Sequence, residues 1–110
     1  MAKPAQDLMY GTVDLVILRT LAWEPMHGYA IAQFVRGQTN GAITIESAAL
    51  YQALHRLEAK KLVRGSWGLS ETNRRAKFYE LTAAGKNALR KQATDLKAYI
   101  AALFAVLDAK

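Results

Sequence analysis

SAALYQALHRLEAKKLVRGSWGLSETNRRAKFYEL, residues Ser47 to Leu81, decides how the rest of the chain is read. Leu50, Ala53, Leu54 and Leu57 recur at spacings of three and four, which places them on one face of a helix. Ala48, Tyr51, Gln52, His55 and Arg56 fall on the opposite face. Ser47 has the side chain of a helix N-cap, and Leu62 and Val63 close the segment. VRGSWGL and AKFYEL then read as two strands, and the Ser, Thr and Asn between them favour a turn. Arg74, Arg75 and Lys77 lie at or just past its tip. A helix backed by a basic two-stranded ribbon is the layout of a winged helix-turn-helix. Such a layout places one helix in the DNA major groove while the ribbon grips the neighbouring backbone.

Outward from that stretch, the chain supplies a scaffold. Thr12 to about Trp23 is predicted to be a helix, capped by Thr12, with Asp14 in its positive first turn and Glu24-Pro25 ending it. Its apolar residues form two stripes, Val13, Val16, Ile17, Leu21 and Leu15, Leu18, Ala22, so it is buried on more than one side. A second helix follows His27-Gly28 to about Arg36, and Gly37 to Gly41 breaks it. The β-branched run Ile43-Thr44-Ile45 is a candidate third strand. Thr82 is placed to cap a last helix reaching about Leu107. There Leu89, Ala93, Leu96, Ile100, Leu103 and Leu107 are spaced alternately four and three, a heptad seam for a second subunit. Val13 and Ile17 are expected to add to that interface. The expected fold is mainly α with a small β-wing. Residues 1–81 form a winged helix-turn-helix and residues 82–110 a C-terminal dimerisation helix, packed as one unit.

The totals narrow the function. At 110 residues, 52% of them hydrophobic, the chain has the length of one domain with apolar surface to spare for a partner. It carries 15 Lys and Arg against 9 Asp and Glu. The surplus is local: between Lys60 and Lys91 stand nine cations against Glu71 and Glu80, as suits a polyanionic partner. There is no cysteine, hence no disulfide or thiolate chemistry. Two histidines, His27 and His55, without clustered carboxylates do not make a metal site, and His27 reads as structural at a helix start. No nucleophile–base arrangement, phosphate-cradling loop or carboxylate pair stands out, so neither enzyme chemistry nor a cofactor is expected. No signal peptide or bilayer-spanning run is read, and a cytoplasmic, nucleoid-associated protein without a membrane role is expected. Candidate DNA contacts are Ala48, Tyr51, Gln52 and His55 on the third helix, with Gln52 able to pair with adenine, and Arg74, Arg75 and Lys77 on the wing. Trp67, Phe78 and Tyr79 read as packing residues of the ribbon.

GTVDLVILRTLAWEPMHGYAIAQFV, SAALYQALHRLEAKKLV and NRRAKFYELTAAGK together resemble the PadR-like family of bacterial winged-helix transcriptional regulators, over about residues 10 to 90. HGY at His27 to Tyr29, LYQALHRLE at Leu50 to Glu58 and RRAKFYELTAAG at Arg74 to Gly85 carry the resemblance, and the single C-terminal helix matches the short members. The resemblance implies a homodimer on an inverted-repeat operator in double-stranded DNA, usually a repressor, released by a phenolic or planar aromatic effector. It supports Ser47, Tyr51 and His55 on the recognition helix and Arg74, Arg75 and Lys77 on the wing, and implies a backbone contact for Tyr29. Gln52 stands where the family often has proline, so its role rests on its own chemistry. An effector wedged between the first and last helices would meet Met9, Tyr10, Trp23, Tyr99 and Phe104.

Two rival functions fit the same fold. A winged helix used as a protein-interaction module would not need Arg74, Arg75 and Lys77. A dimer that traps aromatic ligands without a DNA role would keep its affinity after loss of both wings.

Overall fold

The helix predicted around Leu54 is the centre of the core. The computed structural model describes residues 3–110, with side chains from Thr12 onward. In chain order the elements are α1 (Lys3–Trp23), β1 (Met26–His27), α2 (Gly28–Gln38), α3 (Ser47–Ala59), β2 (Val63–Leu69), β3 (Arg75–Leu81) and α4 (Ala83–Leu107). Leu50, Ala53, Leu54 and Leu57 of α3 are all buried. They pack with Val13, Ile17, Leu18 and Leu21 of α1, Ile31 of α2, and Val63, Tyr79 and Leu81 of the ribbon. Thr20 is the one polar side chain in that interior among the described residues, and its hydroxyl donates to the Val16 carbonyl one turn back, at 2.9 Å.

The sheet is antiparallel, in the order β1-β3-β2. β2 and β3 pair along their full length, with Gly65 opposite Tyr79 and Trp67 opposite Lys77. The third strand is Met26–His27, which pairs with Tyr79 and Phe78. Ile43-Thr44-Ile45, expected to be that strand, is a loop instead. Thr39 explains the difference: its hydroxyl donates to Val35 O at 2.9 Å and accepts from Ile43 N at 3.0 Å, so the segment is tied to the end of α2. Ile45 then packs against the core without strand pairing.

Two predicted caps are corrected. α1 begins at Lys3, so Thr12 lies inside the helix, and Asp14 reaches across to α3, where its carboxylate accepts from Arg56 at 2.7 Å. Glu46, in an extended conformation, is the N-cap of α3, and Ser47 is the first helical residue. His27 and Thr82 do cap. His27 Nδ1 accepts from Ala30 N at 3.2 Å, and Thr82 Oγ1 accepts from Gly85 N at 3.0 Å.

α3 ends earlier than Leu62-Val63. Lys61 turns the chain at φ 62°, with its N–H on Glu58 O and that of Leu62 on Leu57 O, both at 2.9 Å. This is a Schellman closure with lysine in the left-handed position that glycine usually takes. Thr82 then fastens α4 to the same corner, its N–H donating to Leu62 O at 3.1 Å and its hydroxyl to Lys61 O at 2.8 Å. Gly85 completes the joint, because a Cβ there would strike the Leu62 carbonyl. From this corner α4 carries its C-terminal half out of the core, and the molecule is 56 Å along its longest axis.

The joint yields a stability prediction. Gly85→Ala meets backbone, not a side chain that can swing aside, and is expected to cost about 1–3 kcal/mol. Thermal unfolding should show this as a midpoint lower by roughly 4 °C or more; an unchanged midpoint would mean that α4 does not rest on Leu62.

Candidate nucleic-acid interface

Burying Leu50, Ala53, Leu54 and Leu57 forces the other side of α3 outward. Ala48, Tyr51, Gln52 and His55 are all exposed there and line one shallow depression with Arg56. Ser47 is exposed at the helix start. The arrangement therefore presents five of the sequence-selected residues on one continuous surface, with the N-terminal turn of α3 leading.

A second hollow, about 830 Å³, separates the starts of α2 and α3 from the wing. Its walls include Tyr29, Tyr51, Trp67, Arg74, Arg75 and Lys77. Tyr29 is 66% exposed, and its hydroxyl accepts from Gln33 Nε2 at 2.9 Å. Gly28 lets α2 and α3 close at this point, since a Cβ there would lie 2.5 Å from Tyr51 Oη. The HGY motif thus has three separate jobs: His27 caps α2 and packs edge-on against Phe78, Gly28 makes room for Tyr51, and Tyr29 faces outward.

The wing cations are held differently from one another. Ser70 to Asn73 make the turn, with Asn73 at φ 64° and Ser70 Oγ accepting from Arg74 N at 3.3 Å. Arg74 is exposed beside it. The Arg75 guanidinium lies 4.5 Å from the centre of the Trp67 ring. Trp67, expected to pack within the ribbon, is 60% exposed and serves as that platform. Phe78 and Tyr79 do pack, half-buried and buried respectively. Lys77 turns back to the protein: its ammonium donates to Glu58 Oε1 at 2.9 Å. That bond to Glu58 holds the Lys77 pKa above the usual lysine value, against a smaller opposing effect of burial. Burial likewise pushes the Tyr79 phenol up.

Sequence reasoning missed Trp67 as an arginine platform and Glu58 as a partner of the wing. No local pattern could have found either, because both pairings depend on strand register and on the angle between ribbon and helix.

The expected subunit and effector surfaces divide. Val13 and Ile17 are core residues, 6% and 0% exposed, and offer no surface to a second copy. Their spacing was right for a buried stripe, and α3 and the ribbon use that stripe. Leu89 is half-buried against the core, and Ala93 and Leu96 are half-buried. Ile100, Leu103 and Leu107 are 40%, 42% and 72% exposed, with Tyr99 and Phe104 exposed beside them. Trp23 packs against Phe34 at 6.4 Å and lines a groove between α1 and α2 that includes no α4 residue. Met9 and Tyr10 lie outside the described side chains.

Helix, turn, recognition surface and cationic ribbon together define the class: a winged-helix DNA-binding protein. The profile of the transcriptional regulator PadR-like family matches residues 17–91, and the chain belongs to that family. The chain is similar to a transcriptional regulator from Clostridium thermocellum at 27% identity and a TM-score of 0.81, covering 88% of this chain and 94% of that one. It is similar to a PadR family transcription regulator from Clostridium difficile at 26% identity and a TM-score of 0.76, covering 87% and 98%. A curated relative from Lysinibacillus sphaericus, "Uncharacterized protein X", is 32% identical over 80 residues, 73% of each protein. The protein is therefore a DNA-binding transcriptional regulator and not an enzyme. No helix among its described residues is long and apolar enough to cross a membrane.

The paired lysine and buried tyrosine make the fold sensitive to alkali. Both groups hold their protons more tightly folded than unfolded, relative to ordinary values of 10.5 and 10.0. Their contribution is fully present below about pH 10 and is lost as pH rises through the folded-state values. Stability measured by denaturant between about pH 9 and 12 should fall, and Lys77→Met/Tyr79→Phe should flatten that fall. An identical decline in the double variant would assign it to other groups.

Proposed function

We propose that the protein is a homodimeric, sequence-specific repressor that binds an inverted-repeat operator. The observation that carries this reading is the convergence of Ser47, Ala48, Tyr51, Gln52 and His55 on one outward face of α3, with Arg74 and Arg75 beside it on the wing. Gln52 and His55 read base edges in the major groove, Gln52 by a bidentate pair with adenine. Tyr29, Ser47 and Tyr51 bind the phosphates between the grooves, and the wing arginines take the flanking phosphates. Arg75, stacked on Trp67, is pre-ordered for that contact.

Dimerisation runs through α4. Ile100, Leu103 and Leu107, widened by Tyr99, Phe104 and Val106, leave an apolar strip on a single chain that a second copy covers. Two copies then present their α3 helices about 34 Å apart on one face of the duplex. Repression follows from occupying the promoter. A small planar aromatic effector between α1 and α4 of the dimer, touching Tyr99 and Phe104, releases DNA by favouring a different spacing of the two α3 helices. Such a protein works in the cytoplasm at the nucleoid.

A duplex selected by the protein from a random-sequence library provides the test. With Arg74 and Arg75 neutralising about four phosphates per dimer, log K should fall with log salt at a slope of about −4 or steeper. Gln52→Ala removes two bidentate adenine pairs per dimer and should weaken the selected duplex by roughly 30-fold or more, while leaving random duplex unchanged. Arg74→Ala/Arg75→Ala should weaken both and make the slope shallower by about 3 to 4 per dimer. Leu103→Glu should sediment as a monomer. Selection of no duplex bound more tightly than random DNA would contradict the reading.

A further inference from the structure

Lys77 stands apart from the other wing cations. Arg74 and Arg75 are exposed at the turn, whereas the Lys77 side chain is 32% exposed and that of its partner Glu58 35%. The two are joined by a bond of 2.9 Å, and the ammonium also lies 5.5 Å from the centre of the Tyr79 ring. Glu58 belongs to the last turn of α3 and Lys77 to the middle of β3, so the bond spans the angle between helix and wing.

Gly65 makes the crossing possible. It faces Tyr79 on the paired strand, one inward position along from Trp67. A Cβ built there would strike the end of the Lys77 stem and come within 3.1 Å of Glu58 Oε2. The absence of a side chain at position 65 therefore leaves a track along which the lysine reaches the helix.

Lys77 sits just outside the base of the ribbon, and the ribbon is held at that base by Val63, Tyr79 and Leu81 in the core, by β1 on β3 and by His27 against Phe78. The ribbon leaves α3 through the short turn at Lys60 to Leu62. Near its tip, Glu71 is 3.9 Å from His27 Nε2 and almost fully exposed.

We propose that Lys77 is not a phosphate contact but a strut: through Glu58, along the track left by Gly65, it fixes the angle of the wing to α3 and so positions Arg74 and Arg75 for DNA. This role rests on the DNA-binding reading for its consequence, but the strut itself does not. A wing without the strut still reaches its phosphates once bound. The number of counterions released is therefore unchanged, and the loss appears as the cost of ordering the ribbon.

Three variants separate strut from contact. Lys77→Met removes the charge and keeps the stem. Gly65→Ala keeps every charge and pushes the lysine off its track. The exchanged pair Glu58→Lys with Lys77→Glu restores the bond in reverse. Amide hydrogen exchange, which needs no DNA, should speed up in β2 and β3 by about three- to fivefold in the first two variants, with α1 unaffected, and should return to the wild-type rate in the third.

On the duplex selected from a random library, the first two should bind about three- to fivefold more weakly with the wild-type salt slope, and the exchanged pair should recover most of the affinity. Several results would overturn the strut. They are a slope shallower by about 2 per dimer in Lys77→Met, undiminished binding by Gly65→Ala, ribbon exchange at the wild-type rate in either, or an exchanged pair that restores nothing. If the wild type prefers no duplex over random DNA, the DNA reading fails, and the exchange rates still decide the strut.

Discussion

Burial of one face of α3 is the constraint from which the rest of the molecule follows. Leu50, Leu54 and Leu57 are almost wholly removed from water, each worth roughly 1.5–3 kcal/mol. Successive residues of a helix are about 100° apart, so slipping the pattern by one residue would bury Tyr51 or His55 and expose leucines. The core therefore fixes the rotation of α3 about its own axis. That rotation is what sets Ser47, Ala48, Tyr51, Gln52 and His55 on one outward surface. Asp14 adds a second restraint from α1, through Arg56 on the rim of the same face.

The wing is anchored at its base, where Val63, Tyr79 and Leu81 enter the core, and is further placed by short polar joints. The corner at Lys61, Leu62 and Thr82 fastens both ends of the ribbon by backbone hydrogen bonds. β1 pairs with β3 over only two residues, enough to bring the start of α2 against the ribbon. Helix burial orients α3, and core contacts at the base of the ribbon together with short polar contacts orient the wing.

Much of this was legible in the residues. The periodicity of Leu50 to Leu57 foretold the core face, the turn formers at Ser70 to Asn73 the hairpin, and Thr82 its helix cap, because each signal is local. Failures came where a local signal had a non-local competitor. Thr12 and Ser47 have capping side chains, but a cap also depends on where the backbone leaves the helix, and that point is Lys3 for one helix and Glu46 for the other. Ile43 to Ile45 have β-branched side chains, yet the free edge of β3 is taken by Met26–His27, which the chain brings there on its way into α2. Val13 and Ile17 have the spacing of an interface and are used by the chain's own core. For the candidate site, the outward face of α3 could be read from spacing alone. The distinct roles of Arg75 and Lys77 could not, since stacking on Trp67 and bonding to Glu58 are settled by strand register.

Hydroxyl-radical footprinting on the duplex selected by the protein asks whether paired chains present α3 and the wing to one face of DNA. Two protected patches are expected about one helical turn, 10 base pairs, apart on the same face, with weaker protection outside each where a wing follows the backbone. A single protected half-site, or uniform protection without that periodicity, would contradict that arrangement.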